Sequence, residues 1–247
     1  MRGFGKLLLT DIKLYVREPI SAFFTLAFAP MLVVIFGAIY GNAPSALFGG
    51  RGSMDVSMPA YIGLIIAGVG ILSMPINLTA QRESGVLRRF QASPLKPLAY
   101  LLADLVSNLM VTLLGIIILL VFGKIIYNVH FAGSVFSVML AVLLSCLAMF
   151  AIGYLIASLA PSARSGQVIG MLLLYPMMFI SGAGIPLDIM PETIRNIAKF
   201  MPLYYAVNLT KGLWFGESWS VHLLDVLVLL GIVVIGFGVA SRLFKWK

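Results

Sequence analysis

The chain has 247 residues, 61% hydrophobic and 11% charged, with a formal net charge of +8. A soluble domain carries nearer ~25% charged residues, so this composition describes a membrane protein. It leaves no polar stretch for a separate soluble catalytic domain of ~100 residues, and the basic residues lie between apolar runs, as membrane orientation requires and nucleic-acid binding does not. Cys146 is the single cysteine, which excludes an intrachain disulfide and a cysteine metal cluster.

Residues 1–19 read as an interfacial helix rather than a removable signal peptide. Asp11, Lys13, Arg17 and Glu18 break the first apolar run, and no small-residue cleavage site follows. At 100° per residue, Phe4, Leu7, Leu8, Ile12, Tyr15 and Val16 share one face, and Lys6, Lys13 and Arg17 the other. Pro19 ends this element and turns the chain into the first span.

Six continuous apolar runs are long enough to cross the membrane as helices, at about 20–40, 58–80, 98–123, 134–160, 167–185 and 221–241. An even number places both termini on one side. Of the 17 Lys and Arg, 12 then fall on the side of the termini and 5 (Arg51, Lys124, Arg195, Lys199 and Lys211) on the other, so the termini are expected in the cytoplasm. The outer loop 41–57, rich in Gly, Ser and Pro, reads as flexible. The outer segment 186–219 holds Pro186, Pro191 and Pro202 with Tyr204, Tyr205, Trp214 and Trp219. It reads as one or two short helices dipping back toward the membrane.

The chain contains no G-x-x-x-x-G-K-[ST] phosphate loop and no H-E-x-x-H. His130 and His222 read as interfacial polar residues rather than metal ligands. Inside the spans, Asp104 lies about two turns into the third, followed by Ser107 and Asn108; Asp225 lies one turn into the sixth, close enough to the interface to be solvated. An intramembrane acid is a functional candidate by default, so Asp104 is either a proton-coupling group or half of a structural ion pair with an Arg or Lys of a neighbouring helix. Small residues (Gly37 and Gly41, Gly166 and Gly170, and Gly63, Gly68 and Gly70) mark either intramolecular packing or a subunit interface. Pro75 and Pro176 are expected to kink their helices.

The polar island at 81–97 is the strongest signal. It carries Arg82, Arg88, Arg89 and Lys96 between two spans. Glu83, Val86, Leu87 and Phe90 gather on a short helix ringed by those cations, Gly85 leaves a flat place for another backbone, and Ser93-Pro94 closes the element. A basic loop that only fixes topology accounts for the arginines, but not for Gly85, the apolar trio or the proline.

At these residues the chain resembles the ABC-2 type permeases, the membrane subunits of ATP-binding-cassette exporters. Arg82-Glu83-Ser84-Gly85-Val86-Leu87-Arg88-Arg89-Phe90 with Ala92-Ser93-Pro94-Leu95 is similar to that family's cytoplasmic R-E-x-G-x-L-x-R loop. The six-span layout, Arg17-Glu18-Pro19, Gly184-Ile185-Pro186-Leu187 and Met190-Pro191 resemble it as well, most closely its daunorubicin- and linearmycin-type drug-resistance branch.

The resemblance implies an all-α, six-helix permease in a bacterial cell membrane. Its expected partners are membrane lipid, a dimer of a separate cytoplasmic ATPase and a second permease copy or a related permease; no nucleic acid is expected. The chain itself would hold no cofactor, with ATP and magnesium on the partner. The same resemblance makes 82–92 a coupling helix, lays the interfacial helix against the ATPase, lines the path with the second and fifth spans, and caps it outside with Pro186, Leu187, Met190 and Pro191. A toxin- or lipid-sensing immunity protein and a proton-coupled transporter using Asp104 remain the alternatives.

Overall fold

A computed structural model describes residues 22–45, 49–86, 97–183 and 190–243. The interfacial helix residues Lys6, Lys13, Tyr15, Arg17 and Pro19 lie outside the described residues. So do Leu87, Arg88, Arg89, Phe90, Ser93 and Pro94 of the polar island, and Pro186 and Leu187 of the outer segment.

The described chain is an all-α membrane fold. A π-helical turn, Phe23–Ala27, leads into α1 (Phe28–Tyr40). Helix α2 (Ser53–Glu83), α3 (Pro97–Tyr127), α4 (Val135–Leu159), α5 (Ala163–Ile180) and α8 (Leu223–Leu243) are each long and apolar enough to cross a bilayer; the first run is shorter, Thr25–Tyr40. Between α5 and α8 stand two short helices, α6 (Glu192–Ala198) and α7 (Pro202–Trp214). The spans alternate in direction, so residues 82–86, 97–101, 157–163 and 241–243 share one end of the bundle. Residues 40–53, 127–135 and 214–223 share the other.

Helix α2 is the axis of the fold. It is almost wholly buried and touches α1, α3, α4, α5 and α7, whereas α8 packs outside on α4 and α7. The second span is thus enclosed by the other helices of its own chain. The exposed apolar surface next to it belongs to α5 (Val168, Leu172, Leu173, Tyr175 and Phe179).

Close approach to α2 rests on glycine and on a break in its hydrogen-bond ladder. Residues Gly68–Ser73 form a π segment just before Pro75. Proline brings no N–H for the Ile71 carbonyl, and the wider π turn accommodates that loss. A Cβ on Gly170 would stand 2.6 Å from the Ile71 oxygen, one on Gly70 would stand 2.8 Å from the Met149 backbone, and one on Gly153 would strike the Gly70 carbonyl oxygen. Gly70, Gly153 and Gly170 therefore serve packing within the chain.

Part of the segment expected as a flexible loop at 41–57 is helical. Helix α2 already begins at Ser53, and Asn42 caps it from outside. The Asn42 Oδ1 accepts from the amides of Met54 (3.0 Å) and Asp55 (3.2 Å), satisfying first-turn donors that have no helical partner. Its Nδ2 donates to the Asp55 carboxylate and to the Tyr127 carbonyl, both at 3.0 Å, and the His130 amide donates to Asp55 at 2.9 Å. One asparagine thereby joins the end of α1 to α2 and α3.

Helices α6 and α7 meet at a tight connection, where the Tyr205 hydroxyl donates to the Lys199 carbonyl at 2.7 Å. Leu203 and Val207 pack on Gly63, about ten residues, or about 15 Å, along α2 from its start. Helix α7 is therefore a half-helix sunk into the bundle, with Trp214 back at the end where α2 begins.

Adding a methyl group at Gly153 forces two helix backbones apart, a change of the overpacking kind that costs about 1–3 kcal/mol. Gly153→Ala is expected to lower the melting midpoint in detergent by several degrees. Gly238→Ala, with nothing within 4 Å of the new Cβ, is expected to leave it unchanged or raised. Equal midpoints for the two variants would contradict the close-contact reading.

Candidate functional site: the junction of the polar island with the helix bundle

The polar island does not begin as a separate helix. Arg82 and Glu83 are the last residues of α2; the chain then turns at Ser84 and Gly85. Gly85 has φ +72°, the left-handed conformation that ends helices and that glycine adopts without cost, and its amide donates to the Arg82 carbonyl at 3.1 Å. Gly85 is thus first a helix terminator, and Val86 starts a new turn beyond it.

Arg82 and Glu83 clamp the connection between α4 and α5. The guanidinium donates from Nη1 to the Ala157 carbonyl at 3.2 Å and from Nη2 to the Ala160 carbonyl. A cation at the carbonyl end of a helix is favoured both as a donor to unpaired C=O groups and by the helix dipole. Glu83 Oε2 accepts from the Ala163 amide at 3.1 Å, the first residue of α5. A carboxylate at a helix N-terminus is favoured for the converse reason. Ser162 caps the same helix in a reciprocal pair with Ser165, its Oγ accepting from the Ser165 amide at 3.1 Å and its amide donating to Ser165 Oγ at 2.9 Å. The two charged side chains expected to face a partner thus first bind their own chain. They fasten the start of the island to the α4–α5 turn at residues 160–162.

The other wall of this end is polar and buried. Asp104 in α3 accepts from the Tyr154 hydroxyl of α4 at 2.8 Å. Tyr154 also reaches the Leu101 carbonyl at 3.2 Å and rests on the Phe237 ring of α8. Asn108, buried one turn on, donates to the Asp104 carbonyl at 2.9 Å. Tyr154 is therefore a neutral partner of Asp104. Near it, the Tyr100 hydroxyl donates to Gln81, tying α3 to α2 next to the clamp.

At the opposite end the structure corrects two readings. Asp225 is buried, not solvated, and His222 is buried as well. The Asp225 Oδ2 accepts from Asn208 Nδ2 at 2.7 Å and faces His222 Nδ1 at 2.8 Å; His222 Nε2 faces Glu217 at 2.9 Å. Gly212 leaves the room, since a Cβ there would strike the His222 ring. Buried charge is retained when it is paired, and the i,i+3 spacing of His222 and Asp225 was the available signal. The Tyr204 hydroxyl is held above its ordinary pKa by burial and then by the charge of Asp225. Met190 and Pro191 sit just before α6, where the Pro191 carbonyl accepts from the amides of Ile194 (3.0 Å) and Arg195 (3.2 Å).

Two cavities adjoin these elements. An apolar one of about 440 Å³ opens between α2, α3 and α4, lined among others by Met58, Ile62, Leu113, Lys124, Val142 and Trp214. A polar one of about 370 Å³ lies between α6 and α7.

The family pattern for ABC-2 type transporters matches residues 3–215. The chain belongs to the ABC-2 type transporter family. Among curated proteins, one similar to it is the inner membrane transport permease YhhJ of Escherichia coli K12, 27% identical over 201 residues, covering 76% of this chain and 52% of that protein. The probable multidrug ABC transporter permease YbhR of the same organism is 24% identical over 162 residues, covering 65% and 44%. The putative transport permease YvfS of Bacillus subtilis is 25% identical over 190 residues, covering 74% and 73%. The chain spans about half the length of the first two.

The clamp makes a local expectation. In Glu83→Ala the Ala163 amide loses a charged acceptor, a bond worth about 1.5 kcal/mol or more, so its hydrogen exchange should quicken about tenfold while Glu83→Gln retains most protection. Unchanged exchange in Glu83→Ala would show that the carboxylate does not hold the turn.

Proposed function

We propose that this chain is the membrane permease subunit of an ATP-binding-cassette exporter. It has no nucleotide site of its own and is driven by a separate cytoplasmic ATPase dimer that holds ATP and magnesium. Two permeases, identical or related, assemble in a bacterial inner membrane with both termini in the cytoplasm. Family membership supports this reading, as do the printed names of the relatives, among them a transport permease and a probable multidrug permease.

The observation that carries it is the clamp. The segment from Arg82 to Pro94, with Leu87, Arg88, Arg89 and Phe90 as its further members, seats on the ATPase as the coupling element. A push there is passed to two places at once: along α2, the axis of the bundle, and through Arg82 and Glu83 into the α4–α5 turn. A loop whose only task was to set topology would need neither bond. The interfacial residues Lys6, Lys13, Tyr15, Arg17 and Pro19 lie beside the ATPase, and Pro186, Leu187, Met190 and Pro191 lead into an outer gate formed with α6 and α7. The substrate is an amphipathic drug, antibiotic or lipid-like molecule, in keeping with the apolar cavity that Lys124 helps to line and with the exposed apolar face of α5. Asp104 has a structural part in this scheme, joining α3 to α4 through Tyr154.

Gentle purification from the source membrane should recover a near-equimolar ATPase carrying a phosphate-binding loop. Gly85→Val, which strains the turn, should still insert in the membrane but should lose the ATPase or its substrate-stimulated hydrolysis. Full transport with no co-purifying ATPase would overturn the proposal.

A further inference from the structure

Helices α3 and α4 pack on α2 and scarcely on one another. They are tied at the Arg82 end, where the Tyr154 hydroxyl meets Asp104. The apolar cavity of about 440 Å³ occupies the gap between them toward the other end. On α3 its lining runs from Leu113 to Lys124, eleven residues or about 16 Å. Half of a ~30 Å hydrocarbon core is the same length, the depth of one leaflet. Ile117, Val135 and Met139 of the lining are exposed, whereas Met58, Ile62 and Val142 are buried. The cavity is therefore a groove that opens sideways between α3 and α4.

Its one unmet polar group is neutral. Lys124, the charged residue of the lining, is engaged by Asn128 Oδ1 at 2.8 Å and the Val129 carbonyl at 3.4 Å. Trp214 is 4% exposed, and its Nε1 is buried without a hydrogen-bond partner. Ser145 Oγ and Ser181 Oγ share that condition among the described residues, but only Trp214 lines this groove. A buried indole N–H ordinarily finds an acceptor. The indole is also held in place. The Phe131 ring stands edge-on to it, centroids 4.8 Å apart. Gly133 lets the α3–α4 connection close on the end of α7, since a Cβ there would strike the Leu213 carbonyl oxygen and stand 2.9 Å from that of Trp214.

A neutral donor beside a groove one leaflet deep selects its occupant. A plain hydrocarbon would leave the N–H unmet, and an anionic group would need a cation that is not already engaged. An acyl chain with its carbonyl oxygen meets both conditions. Tryptophans gather at the headgroup boundary, the level at which the ester carbonyls of glycerolipids lie. We propose that this groove binds one acyl chain of a glycerol-ester lipid from the surrounding leaflet, with the ester carbonyl accepting from Trp214 Nε1 and the tail lying between α3 and α4 toward Leu113. The inference deepens the lipid-like substrate class proposed above, and rests on that reading for calling such a lipid cargo.

The test is native mass spectrometry of the isolated full chain in neutral detergent, titrated with dioleoyl phosphatidylcholine and with its dialkyl ether counterpart, which lacks both carbonyls. The native chain should bind one ester lipid about fivefold or more tightly than the ether lipid, the worth of one hydrogen bond. Trp214→Phe should bind the two equally. Met139→Trp, a larger side chain at an exposed position of the lining, should weaken both several-fold and leave the melting midpoint unchanged. Equal binding of the two lipids by the native chain would overturn the proposal, whether or not Trp214→Phe folds. Ester preference surviving in Trp214→Phe would overturn it too, as would undiminished binding in Met139→Trp. No ATPase is present in this measurement, so failure to bind would leave the permease reading standing, and loss of the permease reading would leave the lipid site standing.

Discussion

The structure depends on how the carbonyl end of α4 is satisfied at the boundary of the membrane. A helix leaving the hydrocarbon exposes unpaired C=O groups that water, a cap or another chain must meet. Here Arg82 meets two of them, and the adjacent Glu83 meets the first amide of α5. One arginine–glutamate pair at the end of α2 thereby fixes where α4 stops, where α5 starts and how both stand against the central helix. Contacts deeper in the bundle follow from that placement. Gly153 reaches Gly70, Gly170 reaches Ile71, and the π segment before Pro75 fits between them.

The two ends of the bundle are built differently. At the Arg82 end, charged side chains bridge helix termini, and Asp104 and Tyr154 form a buried polar tie. At the other end, Asn42 caps α2 while binding α3, and His222 is held between Asp225 and Glu217. Helices α6 and α7 lie toward that second end; α7 packs on α2, α4, α5 and α8, and α6 on α5. A displacement of α2 along its axis is therefore felt by α7 through Gly63 and Val207.

Much of this was legible in the residues. Continuous apolar runs are a strong signal, and five of the six expected spans appear as long apolar helices, the first in shorter form. The island at 81–97 stood out because charge inside a hydrophobic chain is rare. What sequence alone missed were the bonds of the charged residues. Arg82 and Glu83 look like a docking surface when read as a string, because nothing in the string shows that residues 157–163 come alongside. Asp225 looked solvated because its distance from the helix start was visible and its partners Asn208 and His222 were not. Gly85 reads from the sequence as a flat place for another backbone; in the structure its positive φ ends a helix, a property the sequence only hints at. The segment after α1 looks loose by composition, and the string does not show that Asn42 caps α2 and reaches α3.

The central claim is that the start of the polar island and the α4–α5 turn move as one body. It is tested most directly by pulsed electron-resonance distances between spin labels at Ser84→Cys and Pro161→Cys, both beside the clamp, and at Lys124→Cys near the opposite end, in a Cys146→Ala background. The measurement is made with the proposed ATPase bound, in nucleotide-free and ATP-bound states. The account expects the 84–161 distance to stay constant while the 84–124 and 161–124 distances change together. A change in the 84–161 distance on ATP binding would show that the clamp opens during the cycle, and would contradict it.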